Sequence, residues 1–358
     1  MTTFKYVMTI PSVDIKGFVA IDDLILIGSE DKRYGQLQAE NPVMAKYLAA
    51  FRTPHGMQVH PSIVIRDASL PKVDSRHLCS FRNAIAVSSV LYSRTKQYEA
   101  NTPVGAYCTD LFDFYPISVS SDGMDLIGQT PYEVAGWMDV DGFAGSTTPS
   151  VVHPQHVRVI VDEWLMMWLL NLLEGKYRRR ADVRFKNRIF RSIELAYYAL
   201  RAPVVNLQAQ VDFGVALSLW VSAFEALAYP GAGDVHYSHV SSLVEAVPWQ
   251  SHQLRRRTCA NVTRDRNRQK TRIKVSLPVQ IYARLYYSRN KYAHGNPLPK
   301  ERYEFMHRKD WGNLWFQVPA LYRCVLCHLL ATSGAKARPN SSDLFSHTYE
   351  EALLKRPD

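Results

Sequence analysis

No stretch of this chain is apolar for long enough to cross a bilayer. The nearest candidate, residues 157–173, carries Arg158, Asp162, Glu163 and Asn171, too much polarity for a span and well suited to a buried helix. No membrane partner is expected. Cysteine is scarce, five among 358 residues, which fits a reducing compartment better than a disulfide scaffold. The opening Met1-Thr2-Thr3-Phe4-Lys5-Tyr6-Val7 lacks the charged-then-apolar order of a secretory leader. A cytoplasmic location is therefore expected. Neither G-x-G-x-x-G nor G-x4-G-K-[ST] occurs, so no nucleotide fingerprint is present. Two metal hints fail on spacing. Cys324-Val325-Leu326-Cys327-His328 has no second ligand pair, and reads as core cysteines on a helix. Asp139, Asp141 and Gly142 lack the later ligands of a calcium loop. No cofactor is expected. Acids are also in deficit: 33 Asp and Glu against 43 Lys and Arg leave a net charge of +10, which favours an anionic partner such as nucleic acid.

What is present divides into two textures. Residues 4–10, 17–28, 59–65 and 111–118 read as strands, with short helices opening at Asn41-Pro42 and a longer one over residues 75–96. Residues 126–149 are rich in loop signals. Residues 1–150 are thus expected to form an α+β domain. From Val151 onward the periodicity becomes helical: 154–174, 185–201, 205–229, 238–246, 278–294, 311–332 and 346–355. Residues 151–358 are expected to be an all-α bundle packed through apolar stripes such as Phe213, Leu217, Trp220, Val221 and Phe224.

Positive charge is concentrated in two segments. The first runs from Lys176 to Arg191. The second holds Arg255, Arg256, Arg257, Arg264, Arg266, Arg268, Lys270, Arg272 and Lys274, opposed only by Asp265. Charge runs are commonly solvated faces. The second run, however, leads directly into the helix with the most chemistry, which favours a path for a phosphate backbone. Lys291 and Tyr292 extend it. Tyr287 and Tyr292 suit either base stacking or packing.

That helix ends Tyr286-Tyr287-Ser288-Arg289-Asn290-Lys291-Tyr292-Ala293-His294-Gly295-Asn296-Pro297. Gly295 can take the left-handed closing position and Pro297 forbids continuation. At 100° per residue, Ile281, Tyr282, Leu285, Tyr286, Arg289 and Ala293 share one arc, with Asn290 and His294 stacked at its edge. The helix is expected to present Arg289, Asn290 and His294 together. A guanidinium on an apolar face needs a counter-charge, and Glu225, at the margin of the Phe213–Phe224 stripe, is the expected partner. Arg289 can fork two donors onto phosphate oxygens. His294 can move a proton near neutral pH; the helix C-terminus favours its charged form and Arg289 opposes it. Asn290 can orient the ring or a phosphate oxygen. By contrast, Arg82-Asn83 is followed by no histidine at that distance, and reads as packing and salt-bridging.

The spacing Arg-Asn-x3-His, with the helix Trp220-Val221-Ser222-Ala223-Phe224-Glu225-Ala226-Leu227 before it, resembles HEPN domains, and the Apea-like branch in particular, over roughly residues 155–335. The resemblance implies a helical, metal-independent endoribonuclease with Arg289, Asn290 and His294 as catalytic residues. It further implies a homodimer or higher homo-oligomer with a composite site, and a setting in prokaryotic defence or toxin-like growth arrest. A regulatory protein or nucleic-acid trigger would fit that setting, with residues 1–150 as the sensor or regulator it implies. The alternative is a HEPN-like module that binds RNA or protein without cleaving it.

Overall fold

The computed structural model describes residues 4–21, 23–69, 73–100, 105–120, 123–128, 137–148, 159–174, 183–201, 209–264, 270–295, 314–333 and 342–354. It divides into two compact units. One comprises Met1–Arg82 and Cys108–Ile160; the other comprises Asn83–Tyr107 and Val161–Asp358. A single cut near residue 150 therefore does not describe the division: residues 83–107 belong with the C-terminal unit.

In the first unit, β1 (Phe4–Ile10), β2 (Phe18–Ile21), β3 (Leu24–Ile27) and β5 (Ser62–Asp67) form an antiparallel sheet in the order β1-β5-β3-β2. The short β4 (Phe51–Arg52) pairs in parallel with β9 (Gly145–Ser146). Two helices, α1 (Lys32–Glu40) and α2 (Pro42–Ala49), contribute Tyr34, Leu37, Met44, Tyr47 and Leu48 to a core shared with Ile27, Phe51, Ile63 and Ile65. Asn41 opens α2 as the sequence indicates: its Oδ1 accepts from the Met44 N–H at 3.0 Å, and Pro42 fills the first turn. The sequence reading missed α1, whose only buried residues are Tyr34 and Leu37, too few to mark a helical period. The strand expected over 111–118 is shorter. A 3₁₀ turn covers Thr109–Phe112, and pairing begins at β6 (Ile117–Val119), after Pro116, which has no N–H to give a ladder. Two further short strands, β7 (Leu126–Gly128) and β8 (Trp137–Met138), complete a three-stranded sheet in a region expected to be loop.

Helix α3 (Ser75–Ala100) continues from the first unit into the second. The second unit then holds α4 (Glu163–Leu173), α5 (Val183–Ala199), α6 (Ala209–Ala228), α7 (Tyr237–Glu245), α8 (His252–Arg255), α9 (Leu277–Ala293), α10 (Leu314–Thr332) and α11 (Ser342–Leu354). Leu169, Ile193, Val221, Phe224, Tyr282, Leu285, Leu321 and Tyr322 are fully buried in its core. The unit is not all-α. An antiparallel hairpin, β10 (Cys259–Arg264) with β11 (Lys270–Val275), interrupts the helices. Its alternation Thr271, Ile273, Val275 against Lys270, Arg272, Lys274 is a strand signature that the density of positive charge obscured. Within the second basic run, residues 265–269, including Arg266 and Arg268, lie outside the described residues, as do Arg178, Arg179 and Arg180 of the first. No described helix is long and apolar enough to cross a membrane.

Candidate functional site

The end of α9 is built as its sequence dictates. Pro278 sits in the first turn, and Ser276 occupies the N-cap position without a side-chain cap bond, its hydroxyl donating to Glu245 Oε2 at 3.0 Å. At the other end His294 is the C-cap residue (φ −92°, ψ 14°), its N–H bonded to the Asn290 carbonyl at 3.1 Å. Gly295 follows at φ +68°, the left-handed conformation that glycine adopts without a Cβ penalty. Ile281, Tyr282, Leu285 and Ser288 are buried, whereas Ala293 and His294 are exposed. Only the final residues of the helix leave the packed part of the bundle, and Ala293 does not join the buried arc.

Helix α6 supplies the counter-charge. Trp220, Val221 and Phe224 are buried, and the Phe224 and Tyr282 rings meet at 5.3 Å. This contact sets α6 against α9 and brings Glu225 to Arg289. Arg289 Nη2 donates to Glu225 Oε1 at 3.1 Å, and its guanidinium carbon lies 5.1 Å from the centre of the Tyr286 ring. The expected pair thus forms, but it is not a buried one: the two side chains keep 27% and 28% of their exposure. Burial raises the Glu225 carboxyl above its ordinary range, and the Arg289 charge opposes that rise. The Arg289 Nε is buried and has no hydrogen-bond partner among the described residues.

Arg289 and His294, expected to be presented together by α9, have different surroundings. Five residues advance about 140° around a helix at 3.6 residues per turn. Arg289 turns toward α6, while His294, one turn beyond Asn290, is open to solvent. Glu225 and Tyr286 are the charged and aromatic partners of Arg289 among the described residues. Tyr292 is a packing residue on at least one side. A Cβ added at Gly214 of α6 would collide with three atoms of its ring, so the glycine is what lets the ring approach. Lys291 lies in the last turn of α9, where a cation complements the helix dipole.

The two basic segments resolve differently. In the first, Lys186 donates to the Leu173 carbonyl at the end of α4 and Arg188 to the Tyr229 carbonyl after α6, while Arg191 pairs with Glu194 at 2.7 Å. The first two close helix ends, and the third is an exposed pair along α5. In the second, Arg257 is bound to Glu245 at 2.9 Å, so its charge is already matched. Arg255, Arg256, Arg272 and Lys274 are exposed. Arg264 and Lys270 are register partners at the outer end of the hairpin.

A second ion pair was not legible beforehand. Arg323 and Asp162 form a buried ion pair, Nε to Oδ2 at 2.8 Å, with the guanidinium 4.4 Å from the Tyr349 ring centre. Asp162 also caps α4 by accepting from the Leu165 N–H. Cys324 and Cys327 flank this pair, buried, and burial pushes both thiols up to about 12; they are core cysteines, not exposed thiolates. The comparison pair Arg82-Asn83 behaves as a structural one: Arg82 reaches Asp113 at 3.4 Å and lies over Phe114, and Asn83 is buried. No protein-family model, no curated protein and no solved structure matches the chain.

Proposed function

We propose that the protein is a HEPN-type endoribonuclease that works without a metal. The observation that carries this reading is the meeting of two helices. One ends in Arg289-Asn290-x3-His294-Gly295, and the other brings Glu225 to within 3.1 Å of Arg289. RNA carries its own nucleophile. The substrate 2′-oxygen attacks phosphorus as its proton is removed, the bond to the 5′-oxygen breaks, and that oxygen takes up a proton. The products are a 2′,3′-cyclic phosphate and a 5′-hydroxyl. His294, exposed at the helix end, serves as the proton carrier. Arg289, braced by Glu225, stabilises charge on the phosphoryl oxygens. Asn290 orients the ring or the phosphate.

Each chain brings one Arg289 and one His294, and two copies together supply both an acid and a base to a composite site. The reading therefore includes a homodimer, or a higher homo-oligomer, closed near the ends of the two α9 helices. In this reading the first unit serves as a sensor or regulator of a defence or toxin-like ribonuclease in the cytoplasm, answering a protein or nucleic-acid trigger. The engagement of Arg289 by Glu225, which already meets its charge, favours a second reading, in which the module binds RNA or a partner protein and leaves it intact. Incubation of labelled RNA with the protein in excess chelator separates the two. Cleavage with cyclic-phosphate ends, lost in Arg289→Ala and His294→Ala, supports the enzyme. Retarded but intact RNA supports the binding module.

A further inference from the structure

The hairpin β10–β11 has two unlike faces. Its register pairs Asn261 with Ile273 and Cys259 with Val275 on one side, and Val262 with Arg272 and Ala260 with Lys274 on the other. The first side is the anchor. Asn261 is buried, its Nδ2 donating to the Tyr237 hydroxyl at 3.0 Å, and Val275 is buried at the root. All four residues named on the second side are exposed, Val262 to 46%. Ile273, farther out on the first side, is itself 39% exposed, so the anchor holds at Asn261 and at the root, while Arg272 and Lys274 stand two residues apart on the second side with no acid between them. Solvated apolar surface gains nothing, and like charges two residues apart on a strand lie only about 7 Å from each other.

An aromatic ring borders this ribbon. The Tyr287 hydroxyl donates to the Val262 carbonyl at 2.7 Å, which fastens the ring of α9 to the edge of β10. Tyr237 backs it at 6.2 Å between ring centres, with the planes 26° apart, yet Tyr287 remains 39% exposed. Phosphate-binding cations beside a supported, exposed ring are the two components of a surface for single-stranded nucleic acid. We infer that the solvent side of the β10–β11 ribbon, with Tyr287, is a docking surface for a single strand that does not distinguish ribose from deoxyribose. Arg272 and Lys274 hold backbone phosphates, and Tyr287 stacks on a base. None of these groups is a device for sensing a 2′-hydroxyl. Single-stranded DNA should therefore bind there, compete with RNA and remain uncut.

The inference does not need the cleavage reading, because DNA offers no 2′-hydroxyl to attack. The test is fluorescence anisotropy of a labelled oligothymidylate with the full chain, across a salt series. Wild type should bind, with log affinity falling linearly against log salt. Arg272→Gln with Lys274→Gln should flatten that slope by about 1.4, since each lost phosphate contact on a single strand removes about 0.7. Arg272→Lys with Lys274→Arg should restore it. Tyr287→Leu should weaken binding by about fivefold or more while keeping the slope, and Tyr287→Phe should bind like wild type, because stacking needs the ring and not the hydroxyl. No binding of DNA by wild type, an unchanged slope in the Gln pair, or equal losses in the Leu and Phe variants would overturn the inference. Binding of DNA as described by a protein that fails to cut RNA would leave this surface standing and sink the nuclease.

Discussion

Arg289 and His294 are single side chains on which the proposed chemistry rests, and each should be separable from the fold. Their replacement by alanine is expected to lower RNA cleavage by about a hundredfold or more, the usual contribution of a positioned proton carrier or charge stabiliser. Circular dichroism should be unchanged, since His294 is exposed and Arg289 contributes one half-exposed ion pair. Wild-type rates in both variants would remove the site from consideration. Glu225→Ala should destabilise the second unit by about 1 kcal/mol, nearer the value of a surface pair than the roughly 3–5 kcal/mol lost when a fully buried pair is broken. A double-mutant cycle with Arg289→Ala measures that coupling directly. In the first unit, Asp31 caps α1 and is bonded by the Arg33 side chain at 2.6 and 2.9 Å, which holds its carboxyl below the ordinary range. The folded state thus releases this proton more readily than the unfolded chain. The stabilisation is complete above the ordinary carboxylate value and is lost as pH falls through the lowered one. Stabilities from urea unfolding across that window should converge for wild type and Asp31→Asn at low pH and separate by about 1 kcal/mol or less at neutral pH, where only wild type keeps the charge that Arg33 binds.

At the scale of elements, the position of α9 against α6 depends on one missing side chain. Gly214→Val would put a methyl-bearing carbon into the Tyr292 ring, and the expected cost is about 1–3 kcal/mol from overpacking, read as a lower urea midpoint. A midpoint at or above wild type would show that the ring moves aside freely. The pair Arg323–Asp162 ties α10 to the start of α4. Arg323→Leu leaves Asp162 buried without its cation and should cost about 3–5 kcal/mol; Arg323→Met with Asp162→Leu should recover part of this, less the lost cap. Helix α9 was readable because its signals are local: Pro at the start, an apolar arc, and glycine at the close. The hairpin that precedes it was not, since its strand alternation coincides with a charge pattern that also suits a solvated run. Helix α1 escaped notice for the opposite reason, having only two buried residues to carry a period.

At the scale of the whole molecule, the expected assembly is a homodimer in which Arg289 and His294 of two copies complete a site. Light scattering at working concentration should give twice the chain mass, and mixing Arg289→Ala with His294→Ala protein should restore part of the activity that neither has alone. An active species of single-chain mass would overturn the composite site. The sequence by itself determined the α+β character of the first half, the helical character of the second, the net charge of +10 and the end of α9. These follow from periodicity, composition and capping, which act over a few residues. It also indicated the Glu225–Arg289 pair, because a cation on an apolar face has few remedies. Only the tertiary structure decided that residues 83–107 belong with the second unit, that Arg257 is already matched by Glu245, and that Tyr292 packs on Gly214 while Tyr287 stays exposed. Only it set the Arg289 guanidinium over the Tyr286 ring and left His294 open to solvent. Which partner a long charged or aromatic side chain meets depends on elements distant in sequence, and no local pattern encodes where those elements come to rest.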